Sequence, residues 1–233
     1  VSLELGGNAP LLVFADADID AAVKGAIASK FRNAGQTCVC ANRILVEDAI
    51  YDEFSKKLAA AVAKLKVGNG ADDGVEIGPL IDAKAIEKVE RMVAEALASG
   101  ATALTDDKKS NAGAQFFTPT VLANVTRDMR VNTEEIFGPV APLIRFKTED
   151  EAVAIANDTP FGLAGYFFTK DVNRAWRVAE RLEYGMVSIN DVVYSNEVIP
   201  FGGMKESGLG REGGAEGIEE YLETKFINFG GFA

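Results

Sequence analysis

The stretch LLVFADADIDAAVKGAIASKFRNAGQTCVCANRILVED, residues 11–48, carries the pattern that decides the fold. Its first residues, LLVF, form a short apolar run that is typical of a strand. Apolar residues at helical spacing follow and predict a helix from about Ile19, and ILVED at residues 44–48 is strand-like again. A strand, a helix and another strand in succession predict an α/β fold with parallel strands.

The rest of the chain continues this alternation. Further helices are predicted at residues 48–68, 82–100, 149–158 and 171–182, and further strands at 101–105, 141–146, 163–169 and 186–190. Thr148 followed by Glu151 is a capping box for one of these helices. We therefore expect one domain over residues 1–212, with a largely parallel sheet flanked by helices. Residues 213–233 form a tail, in which a short helical segment precedes TKFINFGGF at 224–232, a β-like run that could lie on a partner subunit.

Composition excludes several classes of protein. The 233 residues are 48% hydrophobic and 25% charged, which is ordinary for a globular protein. The formal net charge of −11 disfavours nucleic-acid binding, and no apolar run approaches the roughly 20 residues that span a membrane. The 2 cysteines make no disulfide scaffold and favour a reducing, cytoplasmic compartment. The chain starts without Met or a signal-peptide pattern, already in strand-like sequence, so we expect a piece of a longer protein.

Both cysteines, Cys38 and Cys40, lie in FRNAGQTCVCANR at residues 31–43. Because the chain has no histidine, every catalytic dyad or triad that needs histidine is excluded. A zinc site is disfavoured, since two cysteines alone supply too few ligands. A disulfide across one intervening residue is strained, and it would be labile rather than structural. Spacing leaves two interpretations of Cys38 about equally good, core filler or nucleophile. The small polar residues before it suit a nucleophile, because they bring backbone N–H groups close to a reacting atom.

Two carboxylates are candidate partners for such a nucleophile. Glu4, in LELGG, alternates with apolar neighbours, and the glycines after it allow another backbone or a ligand to approach. EEIFGP at residues 134–139 offers a second carboxylate beside Phe137 and a rigid Gly-Pro turn. The plain alternatives are a surface glutamate on an edge strand and a turn after a loop. GLGREG at residues 208–213 fits a dinucleotide fingerprint, but no second strand–helix unit follows it, so a flexible loop running into a helix is predicted there.

Five segments together resemble the aldehyde dehydrogenase superfamily: LELGG, FRNAGQTC, EEIFGP, NDTPFGLA and PFGGMKESGLGRE. They occur in that family's order and with similar separations, from near the first residue to beyond residue 210, which makes the resemblance specific. It covers the catalytic half and the C-terminal tail of the family. Residues 1–212 would then be the catalytic domain, and an N-terminal nucleotide-binding domain would be absent. The alternative class is a non-catalytic assembly module that keeps the fold.

The resemblance implies catalytic roles for two residues. Cys38 resembles the nucleophile, which attacks an aldehyde and is left as a thioester after hydride transfer. Glu4 resembles the general base that activates water to hydrolyse that thioester. The presence of Glu4 favours release of a free acid over transfer of the acyl group to coenzyme A.

The resemblance also implies the cofactor, NAD or NADP. Glu135 and Phe137 resemble the residues at the nicotinamide ribose, and Leu5 and Gly6 match the strand end that touches the nicotinamide. Phe201 resembles an aromatic wall of the substrate tunnel. Most of the cofactor-binding domain would lie outside this chain, so the fragment alone is predicted to lack dehydrogenase turnover, although esterase activity at the cysteine is conceivable.

Within the superfamily, FRNAGQTCVCANR and the tail GLGREGGAEGIEEYLETK most resemble the succinate-semialdehyde dehydrogenases. A semialdehyde that carries a carboxylate needs a cation, and a guanidinium grips a carboxylate with two parallel hydrogen bonds. Arg32, six residues before Cys38, is the candidate, with Ser195 as a second donor. The alternative for Arg32 is a surface salt bridge at a helix end. Glutarate semialdehyde or another aldehyde is the alternative substrate.

Cys40 has two interpretations. It is either a small packing residue or the thiol that traps an oxidised Cys38 as a reversible disulfide. The tail strand and the resemblance imply a homo-oligomer that acts on a small-molecule aldehyde. No metal, nucleic acid or membrane is expected among its partners.

Overall fold

The computed structural model describes residues 1–105, 112–192 and 196–231. In these residues the strands are β1 (Leu3–Glu4), β2 (Ala9–Val13), β3 (Ala41–Glu47), β4 (Thr102–Ala103), β5 (Thr120–Ala123), β6 (Val140–Phe146), β7 (Phe161–Gly162), β8 (Ala164–Phe168), β9 (Met186–Ile189), β10 (Met204–Lys205) and β11 (Gly208–Leu209). The α-helices are α1 (Ile19–Lys30), α2 (Tyr51–Val62), α3 (Ala83–Ala98), α4 (Arg130–Thr133), α5 (Glu149–Asn157) and α6 (Val172–Arg181). Short 3-10 helices cover Arg32–Gly35, Asp48–Ile50 and Glu216–Tyr221.

A seven-stranded sheet forms the centre of the molecule, in the order β4-β5-β6-β3-β2-β8-β9. Every neighbouring pair is parallel except β4 with β5 at one edge. All residues of β2, β5 and β8 are buried, as expected for strands of a parallel sheet that is covered on both faces. The predicted α/β fold with a largely parallel sheet is therefore confirmed.

Side chains fix the start of two predicted helices. Asp18 caps α1 by accepting a hydrogen bond from the Ala21 N–H at 3.0 Å, and the helix begins at Ile19 as predicted. Thr148 caps α5 by accepting from the Glu151 N–H at 3.2 Å. The Glu151 carboxylate accepts from the N–H of Lys147 at 2.7 Å.

None of the helices in the described residues is long and apolar enough to cross a membrane.

The helix predicted over residues 48–68 is too long at both ends. Its first residues form the 3-10 helix Asp48–Ile50, and α2 ends at Val62. Beyond that point the chain becomes extended, because Val67 pairs with Ile77 and the Gly68 N–H donates to the Ile77 carbonyl oxygen at 3.0 Å. Pairing with a later segment therefore overrides the helical pattern.

The tail forms a short helical segment but not the predicted strand. The 3-10 helix Glu216–Tyr221 is present, whereas residues 224–231 form no strand within the described part of the chain. Phe226 is 88% exposed and Phe229 is 71% exposed. A strand requires a second backbone to pair with its N–H and C=O groups, and no strand of the described residues pairs with this segment.

The prediction of a flexible loop at GLGREG, residues 208–213, is wrong for the first two of these residues. Gly208 and Leu209 form β11, which pairs antiparallel with β1 and aligns Gly208 with Glu4. Gly208 has φ of 141°, and a Cβ at this position would lie 1.9 Å from the carbonyl oxygen of Leu3. Glycine is required here because no side chain fits between the two backbones.

A buried cation joins the sheet to the end of α5. Arg43, in β3, is 0% exposed. Its guanidinium donates to the carbonyl oxygens of Ile155 and Ala156 at 2.8 and 2.7 Å, in the last turn of α5. It also donates to the Asn8 carbonyl oxygen at 3.1 Å and the Tyr184 hydroxyl at 2.9 Å. The end of a helix supplies partial negative charge and unpaired carbonyl groups, both of which stabilise this guanidinium.

We predict that Arg43→Met lowers the free energy of unfolding by about 3 kcal/mol or more, because it leaves several buried acceptors without a donor. Urea denaturation measures the change. Arg127→Met is the control, since Arg127 forms an exposed ion pair with Asp158 that is worth less than about 1 kcal/mol. Equal losses in the two variants would contradict the prediction.

Candidate active site

The predicted catalytic and cofactor residues stand just before strands of the parallel sheet. Glu4 precedes β2, Cys38 precedes β3 and Glu135 precedes β6. The three strands are neighbours in the order β6-β3-β2. Because they are parallel, their amino ends meet at the same edge of the sheet, and residues that are far apart in the sequence come together there.

The chain reaches this edge through a left-handed turn. After α1 ends at Lys30, Asn33, Ala34 and Gly35 have φ values of 51°, 54° and 77°. Left-handed backbone costs a non-glycine residue roughly 1–2 kcal/mol, so contacts with the surrounding structure must hold the turn. Gly35 is also required for space, because a Cβ there would lie 2.2 Å from the carbonyl oxygen of Gly138.

Cys38 follows the turn as a half-buried free thiol. Burial raises the pKa of this thiol, and the backbone N–H groups of Val39 and Cys38 itself oppose that rise. The carboxylates of Glu135 and Glu4 raise the pKa further. The Cys38 carbonyl group lies against Gly7, where a Cβ would be only 2.6 Å from its oxygen. The thiol is therefore within electrostatic reach of both predicted carboxylates.

Glu4 is held in place by the pairing of β1 with β11. Both of its carboxylate oxygens are shielded from solvent, and neither has a hydrogen-bond partner among the described residues. Burial raises the pKa of Glu4, the nearby Glu212 raises it further, and Arg211 opposes the rise. A carboxylate with free lone pairs and a raised pKa is suited to accept a proton from water.

Glu135 faces the glycines that follow Glu4. The Gly7 N–H donates to Glu135 Oε1 at 3.1 Å, and a Cβ at Gly6 would lie 3.0 Å from Oε2. Burial raises the pKa of Glu135, and the Gly7 N–H and Lys88 oppose the rise. Oε2 therefore lies close against the backbone of Gly6, where a side chain would crowd it, and a carboxylate oxygen can accept hydrogen bonds from a ligand that carries hydroxyl groups.

Asn42 positions the segment that carries Glu135. Its Nδ2 donates to the Glu134 carbonyl oxygen at 2.9 Å, and its Oδ1 accepts from the Ile136 N–H at 3.0 Å. Phe137 comes next, with φ of 55° and a side chain that is 38% exposed. The predicted ribose carboxylate and the predicted aromatic neighbour are thus both fixed at this edge.

Leu5 and Gly6 are tied to the C-terminal part of the chain by Ser207. The Leu5 N–H donates to the Ser207 carbonyl oxygen at 3.0 Å, and the Ser207 hydroxyl donates to the Gly6 carbonyl oxygen at 2.7 Å. The same hydroxyl accepts from the Gly162 N–H at 2.9 Å. Ser207 is 0% exposed. No pattern in the sequence indicates this residue, because its partners come from two distant segments.

The predicted substrate residues are less completely defined. Ser195 lies outside the described residues. Phe201 is half-buried, and its backbone forms a bridge with Glu212, the residue that raises the pKa of Glu4. Arg32 is exposed at the start of the left-handed turn, and its guanidinium makes no ion pair with a described residue. The surface salt bridge that was the alternative for Arg32 is therefore not formed within the described part.

Two buried groups behind the nucleophile were not predicted. The Tyr166 hydroxyl, on β8, donates to the carbonyl oxygen of Val39 at 2.5 Å. Lys30 is 0% exposed, and its Nζ has no hydrogen-bond partner among the described residues. Burial lowers the pKa of Lys30 to about 8, and Cys40 and Glu135 oppose that change. Cys40 is buried beside them, and its Sγ donates to the Arg32 carbonyl oxygen at 3.9 Å.

Known proteins are similar to this chain in sequence and in fold. Residues 1–227 match the model of the aldehyde dehydrogenase family. The chain is 59% identical over 230 residues to the NADP(+) succinate-semialdehyde dehydrogenase of Escherichia coli, covering 99% of this chain and 48% of that protein. It is 59% identical over 231 residues to the glutarate-semialdehyde dehydrogenase of Pseudomonas aeruginosa, with 99% and 48% covered. The crystal structure of an Escherichia coli NADP-dependent enzyme is similar with a TM-score of 0.94 and 60% identity, over 96% of this chain and 46% of that chain.

These matches extend over nearly the whole of the described structure. The chain spans about half the length of the curated relatives it matches. The segments that carry Glu4, Cys38 and Glu135 all lie inside the matched residues. The chain therefore belongs to the aldehyde dehydrogenase family.

Proposed function

We propose that the complete protein oxidises a semialdehyde that carries a carboxylate to the corresponding acid, with NAD or NADP as cofactor. The observation that supports this most strongly is the edge of the sheet where the Cys38 thiol lies within electrostatic reach of Glu4 and Glu135. Succinate semialdehyde is the preferred candidate, because the Escherichia coli relative is named for it. Glutarate semialdehyde is the alternative, for which the Pseudomonas aeruginosa relative is named.

Cys38 and Glu4 would carry the covalent chemistry. The Cys38 thiolate adds to the aldehyde carbon, and the Cys38 N–H stabilises the negative charge that develops on the oxygen. Loss of a hydride from that carbon leaves a thioester on sulfur. Glu4 then takes a proton from water as the water adds to the thioester, and the acid leaves while Cys38 is regenerated. The free lone pairs and raised pKa of Glu4 support this role.

The residues at this edge fit the nicotinamide end of the cofactor. Oε2 of Glu135 lies close to the backbone of Gly6 and can accept hydrogen bonds from ribose hydroxyls. The exposed parts of Phe137 and Leu5 offer apolar surface beside that carboxylate. When bound, NAD or NADP supplies the acceptor for the hydride.

Arg32 would bind the carboxylate of the substrate. Its guanidinium is exposed and forms no ion pair with a described residue, in a chain whose formal net charge is −11. It stands at the start of the turn that leads to Cys38. An unpaired guanidinium so close in sequence to the nucleophile suits an aldehyde with an anionic group at its other end.

Assembly and fragment activity are part of the same proposal. The exposed side chains of Phe226, Ile227 and Phe229 make residues 213–233 a candidate contact with another subunit. The 233 residues alone would lack dehydrogenase turnover, because they span about half the length of the relatives.

In the complete protein we predict that Cys38→Ser abolishes aldehyde oxidation, while Glu4→Gln keeps a first burst of reduced cofactor and slows steady turnover about a hundredfold. Stopped-flow absorbance measures both phases. The pKa of Glu4 is raised, so hydrolysis should be lost as the pH falls through that raised value. Glu206→Gln, at an exposed glutamate, is the control. Unchanged turnover in Glu4→Gln would refute the role of this base.

Arg32→Gln should lower kcat/KM for succinate semialdehyde about a hundredfold, because the substrate carboxylate loses its cation. For a neutral aldehyde of similar length the change should stay within about twofold. Steady-state kinetics on both substrates measures the difference, and Arg127→Gln serves as an exposed control. Equal losses on the two aldehydes would remove Arg32 from the substrate site.

Cys40→Ser tests the redox interpretation of the second cysteine. If Cys40 traps an oxidised Cys38, the substituted protein should recover less activity when peroxide treatment is followed by a thiol reductant. Recovery is measured as the fraction of initial aldehyde oxidation that returns. The same recovery with serine would assign Cys40 to packing.

A further inference from the structure

One side chain, Gln36, braces the left-handed turn before the nucleophile. Its Oε1 accepts from the Ile81 N–H at 2.9 Å. Its Nε2 donates to the carbonyl oxygens of Asn33 and Pro79, at 3.1 and 3.3 Å. In the reverse direction, the Asn33 side chain donates from Nδ2 to the Gln36 carbonyl oxygen at 3.0 Å. The carboxamide thus uses its acceptor and both of its donors on backbone groups.

The other end of this brace is firmly anchored. Ile81 directly precedes Asp82, which caps α3 by accepting from the Ala85 N–H at 2.8 Å. The Leu80 N–H donates to the carbonyl oxygen of Gln115 at 2.8 Å. Gln36 therefore ties the turn to a segment that is fixed independently of it.

The turn needs such an anchor because its own conformation is unfavourable. Asn33 and Ala34 are left-handed without being glycine, and a residue of this kind keeps that conformation only where its surroundings impose it. If Asn33 and Ala34 relaxed to right-handed backbone, the chain that follows them would leave in another direction. The position of Cys38 depends on that direction.

Cys38 lies between this brace and a second one. On its far side the Tyr166 hydroxyl holds the Val39 carbonyl oxygen. The backbone N–H groups of Val39 and Cys38 oppose the rise that burial gives the pKa of the Cys38 thiol, so a displaced backbone would raise that pKa further.

We propose that Gln36 is a positioning residue for the nucleophile, since it holds the left-handed turn and thereby fixes the direction in which the backbone reaches Cys38. The inference deepens the proposed function and rests on it. Gln36 touches no reacting atom and acts only through the backbone.

The test uses three variants of the complete protein. Gln36→Met keeps the volume of the side chain and loses all of its hydrogen bonds. Gln36→Glu keeps an acceptor for the Ile81 N–H and loses the Nε2 donors. Gln115→Met is the matched control. Gln115 and Gln36 both line a surface cavity beside Pro79, and the side chain of Gln115 makes no hydrogen bond with a described residue.

Two measurements report on the position of the thiol. The first is the rate of alkylation of Cys38 by iodoacetamide as a function of pH, with tandem mass spectrometry separating label on Cys38 from label on Cys40. Its midpoint should rise by about half a pH unit or more in Gln36→Met. The second is steady-state kinetics, in which kcat should fall about tenfold while KM changes less than about threefold. In Gln36→Glu the fall in kcat should be smaller.

The proposal is overturned if Gln36→Met moves the alkylation midpoint by less than about 0.2 units, or if Gln115→Met moves it equally. If Gln36→Met does not fold, a kcat in Gln36→Glu within about twofold of the unsubstituted protein also overturns it. Alkylation requires no aldehyde. A shifted midpoint in a protein that oxidises no aldehyde would therefore keep the role of Gln36 and reject the proposed function.

Discussion

The arrangement of the site depends on a buried cation, Arg43, whose hydrogen bonds go to carbonyl and hydroxyl oxygens. One of these oxygens belongs to Asn8, whose side chain accepts from Asn42 Nδ2 at 2.6 Å. Asn42 also forms hydrogen bonds with the backbone on both sides of Glu135. Gly7, just before Asn8, donates its N–H to the Glu135 carboxylate. The contacts that satisfy a charge inside the protein therefore also align the ends of β2, β3 and β6, where the proposed chemistry takes place.

The proposed chemistry lies at the amino edge of the sheet, opposite to the edge at which most such sheets bind ligands. Open parallel sheets usually bind ligands beyond the carboxyl ends of their strands. Here a polar network lies at the carboxyl ends of β2 and β8, in which Asp16 accepts from the Thr169 hydroxyl, from the Lys170 N–H and from Arg174. Arg174 in turn pairs with Glu149. At the amino edge, by contrast, glycines allow backbones to approach closely, and a left-handed turn leads to a free thiol.

The sequence was sufficient for features that local pattern controls. Alternating apolar runs predicted the parallel α/β sheet, and the cap at Asp18 agrees with a helix from Ile19. Features decided by distant contacts were missed, among them the early end of α2, the burial of Arg43 and the pairing of GLGREG with β1. The ordered motifs identified the residues that the structure brings together at the amino edge. They could not reveal Tyr166 or Gln36 as supports, because these act through backbone groups of other segments.

The pairing of β1 with β11 also has a consequence for how the molecule is made. It joins Leu3 to Leu209, two residues that emerge from the ribosome at nearly opposite ends of this chain. Contacts so distant in sequence form late, because a long loop must close before they stabilise anything. The segment with the nucleophile can fold with its neighbours well before Glu4 is clamped. During synthesis, therefore, the proposed thioester chemistry would lack its water-activating base until almost all of these residues had been translated.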